Sequence, residues 1–190
     1  METWRELTPS ERDAIADLAL RGVAHAAHHR APLPVTVTDF PPALQAKAAT
    51  FITLRMKDGS LRGCVGVTTA FRALAEDIAA NAMAAACRDP RFNMVEPSEL
   101  PEIDVSISVL TPSERLYVDS HGALIDALRS GIDGLTLEDG SRRACFLPSM
   151  WSQLPQAQDF VRQLKLKAGW RPDHWSETMK VWRYTAVKIP

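Results

Sequence analysis

Ile52, Leu54 and Met56 alternate with Thr53, Arg55 and Lys57, and Leu61, Gly63, Val65 and Val67 alternate beyond Asp58-Gly59. A period of two predicts two strands, and Asp-Gly is a strong hairpin turn. A two-residue turn sets Met56 against Leu61, Arg55 against Arg62 and Thr53 against Cys64. Leu54, Met56, Leu61, Gly63 and Val65 then share the core face, and Thr53, Arg55, Arg62 and Cys64 the other. The same period returns over Ile103–Leu110, over Leu135–Leu147 with a turn at Asp139-Gly140, and over Lys180–Ile189. The two hairpins echo each other: Leu54 to Cys64 and Leu135 to Cys145 both read Asp-Gly-Ser, then arginine, then cysteine at one spacing.

Between these strands the period lengthens to that of a helix. Thr8-Pro9-Ser10-Glu11 is a capping box with proline in the first turn, and Ile15, Leu18, Gly22 and Ala26 share one face, so a helix is predicted over Pro9–His29. Phe71, Leu74, Ala75, Ile78, Ala82 and Ala85 mark a second over Ala70–Arg88, capped by Thr68 or Thr69 and ended by Asp89-Pro90. Cys87 falls on its polar side. His121–Ser130, stopping at Gly131, and Gln158–Ala168, closed by Gly169, complete the helices. Ala31–Pro42 carries four prolines and reads as a connector with a short extended piece at Val35–Val37. Hairpins without a regular strand–helix–strand rhythm make the fold α+β.

At 190 residues, 46% hydrophobic and 24% charged, the chain is an ordinary globular protein of one domain, or of two small subdomains sharing a core. A net charge of −1 and scattered basic residues give no field or stripe for nucleic acid or a membrane surface. Three cysteines, at 64, 87 and 145, form no CxxC pair, which argues against a disulfide framework or a zinc ribbon and for a reducing, cytoplasmic setting. No uncharged apolar run approaches the roughly 20 residues that cross a bilayer. His25 and His29 have a metal-binding spacing but no third ligand nearby, so no metal site is assigned. GxSxG, P-loop, GxGxxG and HExxH patterns are all absent from the sequence. The tryptophans at 151, 170, 175 and 182 read as core closure.

The chemistry concentrates in Leu61-Arg62-Gly63-Cys64-Val65-Gly66. Gly63 and Gly66 clear space around the thiol for a ligand or another backbone, and a guanidinium favours the reactive thiolate. Two arginines opposite each other, Arg55 and Arg62, repel unless an anion or carboxylate lies between them, which makes this face a candidate anion site. Asp89 and Arg91 in Arg88-Asp89-Pro90-Arg91-Phe92 are candidates for the rim of the same site. The alternative is a structural cysteine whose glycines relieve packing.

Phe51-Ile-Thr-Leu54, Leu61-Arg-Gly-Cys-Val-Gly66, Asp89-Pro-Arg-Phe92, Val105-Ser-Ile-Ser-Val-Leu110, Gly131-Ile-Asp-Gly134 and Arg142-Arg143 with Leu147-Pro148 stand in an order that resembles the AMMECR domain family, whose prokaryotic members are called AmmeMemoRadiSam system protein A. The chain departs from the family pattern at Val65, where isoleucine is usual, and at Ser149, where glutamine commonly follows Leu-Pro. The resemblance implies an α+β fold of two unequal subdomains, each an antiparallel or mixed sheet flanked by helices, with the LRGCVG segment near a cleft between them. It also implies partnership with a Memo-like protein, which resembles non-haem-iron dioxygenases, and with a radical SAM protein. It supplies no reaction and no cofactor.

Two functions follow as expectations. In the first, Cys64 is a nucleophile or a modified residue, Arg55, Arg62, Gly63, Gly66, Asp89 and Arg91 bind a small anionic ligand, and, with no histidine close in sequence to Cys64, the fold could bring His121 or His174 there as a base. In the second, the chain is a non-catalytic adaptor and the motif shapes a binding surface.

Overall fold

A computed structural model of the chain describes residues 7–190. Helix α1 runs Pro9–His29 as the sequence predicts. Thr8 accepts the Glu11 N–H, and the Glu11 carboxylate takes the Thr8 N–H in return. The next elements are α2 (Pro42–Gln45), β1 (Ala49–Met56), β2 (Leu61–Gly66), α3 (Leu74–Cys87), β3 (Ile103–Leu110), β4 (Glu114–Leu116) and α4 (His121–Ala127). They are followed by β5 (Gly134–Asp139), β6 (Arg142–Phe146), α5 (Ala157–Lys167), β7 (Lys180–Tyr184) and β8 (Ala186–Ile189). The strands form two four-stranded sheets, β2-β1-β3-β8 and β4-β7-β5-β6, so the fold is α+β.

The chain divides into two compact units, the first built from residues up to Thr111 with Val187–Pro190, the second from Pro112–Ala186. Each has a hydrophobic cluster of its own. In the first, Ile15, Leu18, Val23 and Ala26 of α1 and Leu74, Ile78 and Ala82 of α3 close over Ile52, Leu54, Ile107 and Val109 of the sheet. In the second, Leu124, Phe160, Val161 and Leu164 cover Leu135, Leu137 and Val181, with Trp151 stacked on Phe160 at 4.0 Å. The predicted last strand is two strands in different sheets. Tyr184 ends β7 in the second unit, and β8 begins two residues later to join β3 in the first.

The first hairpin differs from its prediction twice, and the two differences cancel. Its loop has three residues, Lys57-Asp58-Gly59. The Gly59 N–H donates to the Met56 carbonyl at 2.8 Å, the Met56 N–H to the Ser60 carbonyl at 2.9 Å, and Gly59 sits at φ 87°. This is the common hairpin in which an αL glycine adds a residue to the turn. Arg55 therefore pairs with Leu61, not Arg62. A bulge then absorbs Arg62, after which Leu54 meets Gly63 and Thr53 meets Cys64, in the predicted register. The second hairpin turns at Gly140-Ser141, one residue beyond Asp139-Gly140, because Asp139 still pairs with Arg142. Cys145 pairs with Thr136, whereas the echo with the first hairpin would put it two residues away, at Gly134. The echo is one of composition, not of pairing.

Other boundaries move for local reasons. Helix α3 begins at Leu74, not Ala70. Neither Thr68 nor Thr69 caps it, and the Glu76 carboxylate takes the Ala73 N–H at 3.2 Å instead. Phe71 therefore lies outside the helix and is 56% exposed, with the Arg72 guanidinium over its ring. Cys87 is not on a polar face: its thiol donates to the Ala26 carbonyl of α1 and the side chain packs on the first core. Helix α4 stops at Ala127, and the predicted extended piece at Val35–Val37 gives way to a 3₁₀ turn over Val37–Asp39. The second unit's Gly131-Ile-Asp-Gly134 is a structural joint. Buried Asp133 takes the Arg129 N–H and guanidinium, while Gly134 leaves room for the Tyr184 ring.

Gly63 and Gly66 have the tightest surroundings of the first unit. A Cβ on Gly63 would fall onto the Ala85 carbonyl of α3, and one on Gly66 onto the Thr50 carbonyl and Phe51. Backbone cannot give way as a side chain can. Gly63→Ala is expected to lower the urea midpoint by an amount equivalent to about 1–3 kcal/mol. Gly122→Ala, where a Cβ meets nothing within 4 Å, should leave stability unchanged or slightly raised.

Candidate functional site

Alternation along the first sheet places Cys64, Thr53 and Ser106 in one transverse row, since Thr53 pairs with Cys64 on one side and Ser106 on the other. The Cys64 sulfur lies 3.3 Å from the Thr53 hydroxyl, and the residue is half-buried, as are Cys87 and Cys145. On the opposite face, Gly63 meets α3.

The contact at Gly63 decides what surrounds the thiol. Helix α3 ends at Cys87, and Asp89 follows two residues later, carried by the proline-stiffened turn alongside β2. The buried Asp89 carboxylate accepts the Cys64 N–H at 2.8 Å and the Arg91 guanidinium at 2.7 and 2.9 Å. Arg91 in turn donates to the Cys64 carbonyl at 3.4 Å. Since β2 is an edge strand, these bonds pair backbone groups that the sheet leaves open. Hydrogen bonds from Arg91, chiefly, and from the Cys64 N–H outweigh burial and hold Asp89 at a pKa of about 2. The Arg91 pKa is raised, chiefly by its hydrogen bonds to Asp89.

Arg62 is committed elsewhere. Its guanidinium meets Glu99 with hydrogen bonds of 2.8 and 2.9 Å and donates to the carbonyls of Asn93 at 2.9 Å and Met94 at 3.4 Å. Arg55 is at the hairpin tip, bonded to the Gly59 carbonyl at 2.8 Å. The predicted face-to-face arginine pair does not form, so no anion is needed between the two; Arg62 pairs instead with Glu99, a residue the sequence reading missed. Arg62 and Arg91 do share one neighbourhood, their guanidinium carbons 6.0 and 5.4 Å from the Phe92 ring centroid.

Of the sequence-predicted residues, the structure gathers Cys64, Arg62, Asp89 and Arg91, leaves Arg55 at the turn, and gives Gly63 and Gly66 packing roles. The proposed bases are committed within the second unit: His121 Nδ1 is 2.8 Å from Lys165 Nζ, and His174 Nε2 is 2.8 Å from Asp139. The His25 and His29 ring centroids lie 4.4 Å apart, the rings tilted by 35°.

Asp89 yields a pH prediction. Its native pKa of about 2 lies below the ordinary 3.8, so the stability it contributes is complete above 3.8 and lost as pH falls through 2. At about 1.4 kcal/mol per pKa unit, roughly 2 kcal/mol is at stake. Denaturant titrations at successive pH values should show Asp89→Asn destabilised at neutral pH and less dependent on pH between 4 and 2 than the parent chain.

The AMMECR1 family model matches residues 16–189. A protein of Methanothermobacter thermautotrophicus is 37% identical over 150 residues, covering 78% of each chain. Protein MK0488 of Methanopyrus kandleri is 32% identical over 179 residues, 90% of this chain and 83% of that one. The crystal structure of protein PH0010 from Pyrococcus horikoshii superposes with a TM-score of 0.88 at 29% identity, covering 96% of this chain and 92% of that one. A match that takes in both sheets and every motif in the Cys64 neighbourhood establishes that the chain belongs to the AMMECR1 family.

Proposed function

We propose that this chain is a ligand- or partner-binding component of a modification system that includes a Memo-like and a radical SAM protein, and that Cys64 is its working group, as nucleophile or as acceptor of a modification. The observation that carries this is the setting of the thiol. Cys64 is half-buried, its backbone N–H and carbonyl are both held by the Asp89–Arg91 pair, and its sulfur lies 3.3 Å from the Thr53 hydroxyl. Rigid placement of a reactive atom removes an entropic cost from any reaction it undergoes. Arg91, whose side chain is 54% exposed, is the cation best placed to meet a small anionic ligand there. Arg62, 13% exposed and paired with Glu99, holds the surrounding loop.

A second reading is favoured by the glycines. Backbone packing alone accounts for both Gly63 and Gly66, so the motif also serves an adaptor whose cysteine does no chemistry.

Iodoacetamide labelling, followed at each cysteine by mass spectrometry across pH, separates the two. Cys64 is expected to react faster than Cys87 and Cys145, and Arg91→Ala to slow it more than Arg62→Ala does, because a neighbouring cation favours attack by sulfur. Equal rates at all three cysteines of the folded protein would leave the adaptor. Co-expression with the Memo-like and radical SAM proteins, read by size-exclusion chromatography, tests the partnership. A complex formed equally by the parent chain and Cys64→Ser, with equal labelling rates, is the adaptor's signature.

A further inference from the structure

Lys165 is the one lysine among the described residues that is fully buried, at 0% exposure. A buried ammonium is normally matched by a carboxylate. Among the described residues Lys165 makes no ion pair with one; its Nζ contacts His121 Nδ1 at 2.8 Å and lies 5.6 Å from the centroid of the Trp175 ring. The contact is sound while the pair holds a single positive charge: the ammonium donates to a neutral imidazole protonated on Nε2. A second proton removes the acceptor and sets two cations against each other, the buried ammonium with no water to turn to.

The pair sits where three pieces of the second unit meet. His121 is the first residue of α4, Lys165 lies on α5, and Trp175 belongs to the irregular segment between α5 and β7. Trp175 Nε1 also donates to the Asp119 carbonyl at 2.9 Å, which ties that segment to the start of α4.

We infer that Lys165 and His121 form a proton-sensitive lock: protonation of His121 breaks the contact and releases the first turn of α4 together with the Trp175 segment.

The charges around the pair agree with this. From α5, Lys165 faces His121. From the irregular segment, Asp173 acts on Lys165, but it is exposed and bound to Arg171 at 2.9 Å. Burial first, and Lys165 second, lower the His121 pKa below its ordinary 6.5. Burial lowers that of Lys165, with Asp173 opposing. A base with a lowered native pKa contributes stability that is complete above its ordinary value and lost as pH falls towards the native one. For His121 that loss lies on the acid side of 6.5.

The test is hydrogen–deuterium exchange by mass spectrometry from pH 8 to pH 5, corrected for the intrinsic pH dependence of exchange. Protection over residues 119–127 and 171–178 should fall about tenfold for each pKa unit by which His121 is displaced, while the first unit stays unchanged. His121→Gln keeps a carbonyl acceptor for the ammonium without a titrating group, and its protection should not respond to pH. Lys165→Met removes the opposing cation, so the His121 Hε1 resonance should titrate at a higher pH than in the parent chain. A pH-independent parent chain, a His121→Gln variant that opens as the parent does, or a His121 titration unmoved by Lys165→Met would each overturn the lock.

Discussion

The contact between Gly63 of β2 and the Ala85 carbonyl of α3 is the constraint on which the site depends. It sets how closely the hairpin lies on the helix, and so where the chain emerges when α3 ends at Cys87. Asp89 arrives within hydrogen-bond reach of the Cys64 N–H because strand and helix have no side chain between them. From Asp89 the arrangement extends to Arg91, Phe92 and Arg62, and through Arg62 to Glu99 and the segment from 93 to 99. A methyl group at residue 63 would part strand from helix and loosen all of these.

Buried carboxylates fasten the units internally, each fully engaged. Asp77 takes the N–H and hydroxyl of Thr50, the Asn81 amide and the Arg72 guanidinium, binding β1 to α3 from within the first core. Asp89 joins the end of α3 to β2, and Asp133 the end of α4 to β5. A buried carboxylate left unpaired is costly, so each fixes its surroundings firmly. Most arginines of the motifs are thereby used as ties. Any anion brought to the Cys64 site would compete with Asp89 for Arg91 and with Glu99 for Arg62. An anion that lies against the exposed part of Arg91 without displacing Asp89 fits this arrangement better than one clasped by several guanidiniums.

The two places singled out treat their cations differently. Around Cys64, Arg91 and Arg62 meet Asp89 and Glu99, carboxylates with lowered pKa values that stay ionised near neutrality. Between α4 and α5, a lysine meets an imidazole, whose charge changes within the range a cell encounters. The proposed chemistry at Cys64 and the proposed lock at His121 thus rest on different physical terms and respond to different conditions.

Much of the fold was legible in the residues, because local physics settles it. The capping box at Thr8, the period of β1 and β3 and the stop at Asp89-Pro90 follow from backbone preference and hydrophobic periodicity. Thr53 opposite Cys64 was legible for a less direct reason: an added residue in the turn and a bulge at Arg62 offset each other. The order of motifs was enough to point to the AMMECR1 family. What only the tertiary structure decided was which long-range partner each polar group takes. Glu99 is 37 residues from Arg62 and Lys165 is 44 from His121, and no spacing announces either pair. The division of Lys180–Ile189 between two sheets has the same origin. Alternation specifies a strand and its faces, whereas the neighbour beside it is set by packing of the whole chain.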